Sequence, residues 1–165
     1  GTLMTTPRKV IIANNTYYKT GMSAILIEGD AEGWYESGPV KDVLIQNNIF
    51  IDCAYNGGPE YAVIALNPSN TIIDAAHPVH RNVRIIGNTF QTFGNPVLYA
   101  KSTEGLVFKD NKVTSTPLPG GALQKPVFIL NGSKNVTIKD NILKGTFREN
   151  IVFRNMKKGF IKTDL

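Results

Sequence analysis

One eight-residue pattern recurs five times along this chain of 165 residues. It reads apolar-x-apolar-x-x-Asn-x-apolar, and its copies run over residues 10–17, 43–50, 83–90, 106–113 and 136–143. The same position is Asn in every copy: Asn15, Asn48, Asn88, Asn111 and Asn141. A pattern that recurs in fixed register is typical of a repeat protein, in which each repeat stacks on its neighbours.

The residues of the pattern indicate β-strands. Apolar positions alternate with polar or variable ones, and many of the residues are β-branched or aromatic. A second apolar run follows each copy, at residues 24–27, 62–66, 96–99, 126–130 and 150–153. Each repeat therefore offers two strands, divided by a turn around the Asn. Because such a coil can bury its apolar face only against a like coil, we predict a right-handed parallel β-helix of about five coils.

The column of Asn residues has a structural explanation. Asn tolerates the left-handed backbone that a tight turn needs, and its amide can hydrogen-bond to the Asn in the coils above and below. We therefore interpret the column as structural rather than catalytic. The last apolar position of the pattern, with Tyr17, Phe50, Phe90 and Leu143, is expected to stack as core.

Composition limits the classes of partner. The net charge is +5, but residues 1–100 hold six Lys/Arg and eight Asp/Glu, whereas residues 101–165 hold twelve and five. The basic residues form no dense block, so we predict no nucleic-acid partner, and no apolar run is long enough for a membrane span.

Cys53 is the single cysteine and is expected to be buried.

The chain has the length of one domain, and we predict a single β-helix over residues 1–165. It starts almost directly on a copy of the pattern without a convincing cap, which suggests part of a longer β-helix. Open coil ends carry unpaired strand edges, so self-association through the ends is expected.

Two insertions interrupt the repeat at equivalent positions. Ile25 and Val43 are 18 residues apart, and Val63 and Val83 are 20 apart, whereas the matching distance is 9 in the next two coils. Adjacent coils stack about 5 Å apart, so both insertions should emerge side by side on one flank. Function in such a fold is expected in these loops.

The first insertion, residues 28–39, gathers the carboxylates of Glu28, Asp30, Glu32 and Glu36 around Trp34. Sugars stack on aromatic rings, and glycoside hydrolysis uses a pair of carboxylates. The insertion therefore suits a carbohydrate ligand. The alternative is a solvated acidic loop whose Trp packs on the coil.

The second insertion, residues 67–80, contains both histidines of the chain. Asp74, His77 and His80 have the chemistry of metal ligands, but Pro78 excludes a helix that would fix their spacing. We therefore predict no metal site and no cofactor.

Several short stretches carry a further signal. They are KVII (9–12), NT (15–16), TGM (20–22), AILI (24–27), DAE (30–32), WYESGPV (34–40), HRNV (80–83) and PVLYAKST (96–103). Together they resemble the α-1,3-galactosidases of glycoside hydrolase family 110, over most of residues 8–113 and fading afterwards. The run from Trp34 to Pro39 after an acidic turn is the specific part of this resemblance.

The resemblance implies an exo-acting enzyme that removes terminal α-1,3-linked galactose with inversion, from glycans of the blood-group-B type. It also implies a secreted or periplasmic parent protein. In that family an Asp-Asp pair is expected on an earlier coil, and this chain has none. The catalytic base would then lie upstream, and the isolated chain could be inactive as part of the C-terminal region of the β-helix.

The resemblance also suggests roles for individual residues. Asp30 and Glu36 would supply acid or hydrogen-bonding carboxylates, and Trp34 would shape the sugar subsite. Glu28 and Glu32 are weaker candidates for substrate contact, and His80 would border the cleft.

Two other functions remain open. A non-catalytic carbohydrate-binding or structural β-helix module would use the same groove without chemistry. A pectate-lyase-like or polygalacturonase-like enzyme ranks lower, because the sequence has neither clustered Asp with a catalytic Lys or Arg nor several close Asp pairs.

Overall fold

The computed structural model describes residues 1–30, 37–56, 62–116 and 125–165. Their strands form three sheets in which every pairing is parallel. Sheet one contains β1 (Thr2–Met4), β4 (Ile25–Ile27), β7 (Ile64–Leu66), β10 (Leu98–Lys101), β13 (Phe128–Asn131) and β16 (Ile151–Arg154). Sheet two contains β2 (Val10–Ala13), β5 (Lys41–Gln46), β8 (His80–Ile86), β11 (Thr103–Lys109), β14 (Val136–Lys139) and β17 (Ile161–Thr163). Sheet three contains β3 (Thr16–Tyr18), β6 (Ile49–Ile51), β9 (Thr89–Thr92), β12 (Lys112–Ser115) and β15 (Ile142–Lys144).

The order of the strands makes the molecule a parallel β-helix. The chain passes through sheets one, two and three in turn, and each strand pairs with the equivalent strand of the next coil. Five coils have all three strands, and β16 and β17 begin a sixth around a short 3-10 turn at Lys158–Phe160. The predicted fold class is confirmed, while the right-handed turn of the coils stays a prediction. Over the described residues, no helix has the length and apolarity to cross a membrane.

The prediction of two strands per repeat was wrong, because the recurring pattern itself contains two strands. In the second coil, for example, β5 ends at Gln46 and β6 begins at Ile49. The bend between them is made by the residue before the pattern Asn. That residue has a positive φ in every coil: 61° at Asn14, 54° at Asn47, 67° at Gly87, 55° at Asp110 and 56° at Asp140. The left-handed residue is therefore the neighbour of the pattern Asn and not, as expected, the Asn itself.

The pattern Asn residues form the predicted stack, which we call the Asn ladder (Asn15, Asn48, Asn88, Asn111 and Asn141). The Nδ2 of each of the first four donates to the Oδ1 of the Asn in the following coil, at distances of 3.1, 3.0, 3.0 and 3.1 Å in chain order. The same Oδ1 accepts the backbone N–H of the preceding Asn, as from Asn88 N to Asn111 Oδ1 at 2.8 Å. The ladder thus closes one corner of every coil.

The core lies inside the three sheets, where alternate strand residues are buried. Tyr17, Phe50 and Phe90 stack face to face, with ring centroids 5.0 and 4.7 Å apart, and Leu143 packs on the same core. Cys53 is buried and unpaired. This core holds the coils in register and so fixes where the insertions leave the helix.

Candidate functional site

Both insertions leave the β-helix between sheet one and sheet two, in the second and third coils. Ser69 in the second insertion donates from its N–H and its Oγ to the carbonyl oxygen of Gly29 in the first, at 2.9 and 3.0 Å. The fourth coil has only Ser102 between the same two sheets. The described parts of the insertions are therefore adjacent on one flank, as predicted.

A cavity of about 500 Å³ opens where the insertions meet. Three successive coils contribute to its wall. The lining residues are Leu3, Thr5, Glu28, Gly29, Asp30, Ser37, Asn67 and Ser69. Most of them carry hydroxyl, amide or carboxyl groups, which are the groups that hydrogen-bond to the hydroxyls of a saccharide.

Strand register places three of these polar side chains in a row. Met4 pairs with Ile27 and Ile27 with Leu66, so the residues that follow them are neighbours in adjacent coils. Those residues are Thr5, Glu28 and Asn67. Ile27 and Leu66 are buried, and since successive side chains of a strand point to opposite faces, Glu28 and Asn67 face outward.

The base of the first insertion is a narrow neck. Asp30 donates its N–H to Ser37 Oγ at 3.1 Å. A Cβ atom at Gly29 would lie 3.3 Å from the carbonyl oxygen of Gly38 and 3.3 Å from Cε1 of His80. Only glycine fits there without displacing a neighbour, and the close approach holds Glu28 and Asp30 at the cavity wall.

His80 is fully buried beside this neck. Its Nδ1 accepts the N–H of Val40 at 3.1 Å, so the neutral ring carries its proton on Nε2, which has no hydrogen-bond partner among the described residues. Burial lowers the pKa of His80 to about 4, and the ring is neutral at neutral pH. His80 lies beside Gly29, which lines the cavity, and its own contact with a substrate stays a prediction.

The structure describes two of the five other predicted site residues. Glu28 and Asp30 line the same cavity. Glu32, Trp34 and Glu36 lie outside the described residues. The roles assigned to all five from the sequence stay predictions.

Four polar lining residues were not predicted: Thr5, Ser37, Asn67 and Ser69. For two of them the sequence does carry a signal, which is their position in the repeat: Thr5 and Asn67 occupy the place of Glu28 in the neighbouring coils. Aligning the ends of the sheet-one strands would have brought them together.

Asp74 and His77 form an exposed pair, with His77 Nδ1 2.7 Å from Asp74 Oδ2. The hydrogen bond from His77, followed by that from the Ala76 N–H, lowers the pKa of Asp74. His80 is engaged separately with Val40. In the four described ranges, no three His, Cys, Asp or Glu side chains are grouped closely enough to hold a metal ion.

No protein-family model matches the chain. It is 64% identical to alpha-1,3-galactosidase A of Bacteroides fragilis strain YCH46, over 167 aligned positions that cover the whole chain but 28% of that relative. The chain is homologous to a segment of the α-1,3-galactosidases. It is 41% identical to alpha-1,3-galactosidase B of Bacteroides thetaiotaomicron, over 98% of the chain and 27% of the relative. For alpha-1,3-galactosidase A of Peterkaempfera griseoplana the identity is 33%, over 94% of the chain and 24% of the relative.

These similarities confirm the family resemblance drawn from the sequence. They correct its extent, since the alignment with the Bacteroides fragilis protein continues through the whole chain instead of fading after residue 113. The chain spans about a quarter of the length of these relatives.

Proposed function

We propose that this chain forms one wall of the saccharide pocket of a glycosidase that removes terminal α-1,3-linked galactose with inversion. The observation that carries the proposal is the polar cavity between the two insertions, in a chain that is 64% identical to a protein named alpha-1,3-galactosidase A. A cavity of about 500 Å³ lies within the usual size range of small-molecule sites.

Inverting hydrolysis needs a general acid and a general base about 6.5–9.5 Å apart, with a water molecule between the base and the sugar. The base removes a proton from the water as its oxygen bonds to C1 of galactose. The acid protonates the glycosidic oxygen as the bond from C1 to that oxygen breaks. We assign Asp30 and Glu36 as acid or hydrogen-bonding carboxylates and Trp34 as the aromatic platform of the galactose subsite.

The catalytic base would come from another part of a longer protein, because the family resemblance implies an Asp-Asp pair and the chain contains none. In this proposal the isolated chain binds the galactose end of a glycan without completing the reaction. The parent enzyme would act on glycans outside the cytoplasm, as a secreted or periplasmic protein.

The test is Asp30→Asn and Glu36→Gln in the longer protein, assayed on galactosyl-α-1,3-galactose. We expect galactose release to fall at least about a hundredfold in one of the two variants, as is typical for loss of a general acid or base. Unchanged turnover in both would remove these residues from the mechanism. Proton NMR of the released sugar then distinguishes inversion, which yields β-galactose first, from retention.

A non-catalytic binding module is the second candidate, and the hydroxyl and amide groups of Ser37, Asn67 and Ser69 in the cavity favour it. A longer protein that binds the disaccharide but releases no galactose would decide for this alternative.

A further inference from the structure

The segment 67–69 forms one wall of the cavity and is held from both sides. On one side, Ser69 donates two hydrogen bonds to the carbonyl of Gly29 in the second coil. On the other side, Lys101 of the fourth coil donates from Nζ to the carbonyl of Pro68 at 2.8 Å. The middle residue of the segment is thus tied to one neighbouring coil and the last residue to the other.

The position of Lys101 follows from the missing insertion in the fourth coil. Leu66 pairs with Ala100, so Lys101 lies beside Asn67 in the adjacent coil. Only Ser102 separates β10 from β11, so the fourth coil has no insertion between these two strands. The long Lys101 side chain reaches Pro68 of the second insertion from this coil. Its ammonium group makes a charge-assisted hydrogen bond, which is stronger than a bond between neutral groups.

We propose that Lys101 is a positioning residue of the candidate site. It fixes the Pro68 carbonyl and thereby holds the Asn67 amide and the Ser69 hydroxyl at the cavity wall, where they bind hydroxyl groups of a galactose-terminated saccharide. The ligand part of this proposal rests on the proposed function, whereas the anchoring of segment 67–69 does not.

Lys134 offers a matched control on the same insertion. Its Nζ donates to the carbonyl of Ala76 at 3.0 Å and lies 3.5 Å from Glu104 Oε1. Both lysines therefore bind a backbone carbonyl of the second insertion. Only Lys101 binds next to residues that line the cavity, since Ala76 is eight positions further along the chain.

The test compares Lys101→Met, Lys101→Arg and Lys134→Met with the unchanged chain. Methionine keeps much of the aliphatic stem of lysine but has no donor, whereas arginine keeps a charged donor. Amide hydrogen exchange is followed at Ser69, whose N–H binds Gly29, and at His77, whose N–H binds Asp74. Binding of galactosyl-α-1,3-galactose is measured by NMR titration.

In Lys101→Met we expect exchange at Ser69 to become about tenfold faster, because segment 67–69 opens more often. The Kd for the disaccharide should rise about tenfold, the effect of losing one charged hydrogen bond that holds the wall. Lys101→Arg should restore both values to within about threefold. Lys134→Met should alter exchange at His77 while leaving Ser69 and the Kd within about twofold.

Unchanged exchange at Ser69 in Lys101→Met would overturn the positioning role, whatever the binding result. Equal effects of Lys101→Met and Lys134→Met on Ser69 and on the Kd would also overturn it, since both lysines would then act only by stabilising the insertion. If the unchanged chain binds no disaccharide, the proposed function and the ligand part fail. Faster exchange at Ser69 in Lys101→Met alone would then still support the anchoring role.

Discussion

At the scale of single residues, the Asn ladder concentrates hydrogen bonds on side chains that are almost fully buried in its middle. Asn88 donates to Asn111 Oδ1 and to the carbonyl of Ile45, and its Oδ1 accepts two bonds from Asn48. A buried donor or acceptor left without a partner destabilises a protein by about 1–3 kcal/mol. One substitution in the ladder leaves several such groups in two neighbouring coils.

Asn88→Ala should therefore lower the free energy of unfolding by about 3 kcal/mol or more, measured by urea denaturation. The matched control is Asn15→Ala at the exposed end of the ladder, where water replaces the lost partners and we expect a loss of about 1 kcal/mol. Similar losses at Asn88 and Asn15 would show that burial does not determine how much a ladder residue contributes to stability.

His80 makes the stability of the chain depend on pH. Its pKa is about 4 in the folded protein and 6.5 for an ordinary imidazole, so the unfolded state takes up the proton first as the pH falls. Its contribution is complete above pH 6.5 and is lost between pH 6.5 and 4, by a total on the order of 3 kcal/mol. We expect urea midpoints to decline over this range. His80→Asn should flatten the decline. A decline of equal size in His80→Asn would assign it to other groups.

At the scale of elements, alternation and recurrence in the sequence were enough to predict strands and parallel stacking. They did not reveal that each pattern bends into two strands, because the bend depends on backbone φ at one residue. That residue is Asn14, Asn47, Gly87, Asp110 or Asp140, and its identity varies between coils. The residue that follows is Asn in every coil, and for that reason we expected the left-handed backbone there. Sequence alone shows the residue that recurs, whereas the turn is made by its less uniform neighbour.

Substitutions of Gly87 test whether the turn depends on a left-handed backbone at the residue before the pattern Asn. Since Asn14, Asn47 and the equivalent Asp residues adopt the same left-handed backbone, Gly87→Asn should destabilise the chain by less than about 1 kcal/mol. Gly87→Val should destabilise it by about 2 kcal/mol or more, because a β-branched side chain is strained at positive φ. In both variants the new Cβ would approach Asn47 Oδ1, 2.9 Å away in the present structure, so the two share that cost. Thermal unfolding of the pair measures the difference, and equal melting temperatures would contradict a conformational cause.

At the scale of the whole molecule, the position of the candidate site was predictable and its composition was not. The excess length of two adjacent repeats placed the insertions on one flank, and the acidic residues of the first insertion pointed to Glu28 and Asp30. Asn67 and Ser69 contribute because strand register sets them beside Glu28 and Gly29. The order of residues along the chain does not by itself show which residues of different coils become neighbours.

The three sheets also end in strands that are paired on one side only, β1, β2 and β3 at one end of the described coils. Large apolar side chains are exposed there, with Ile11 56% and Tyr18 62% accessible. Unpaired edges beside apolar surface favour edge-to-edge association, so we expect the chain to self-associate in sedimentation velocity experiments.

The double substitution Ile11→Lys with Tyr18→Lys should shift the chain toward monomer. Ile72→Lys is the control, because Ile72 is 79% exposed on the second insertion and lies on no edge strand. Dissociation by Ile72→Lys and not by the edge pair would place the contact on the insertion flank instead of the coil end.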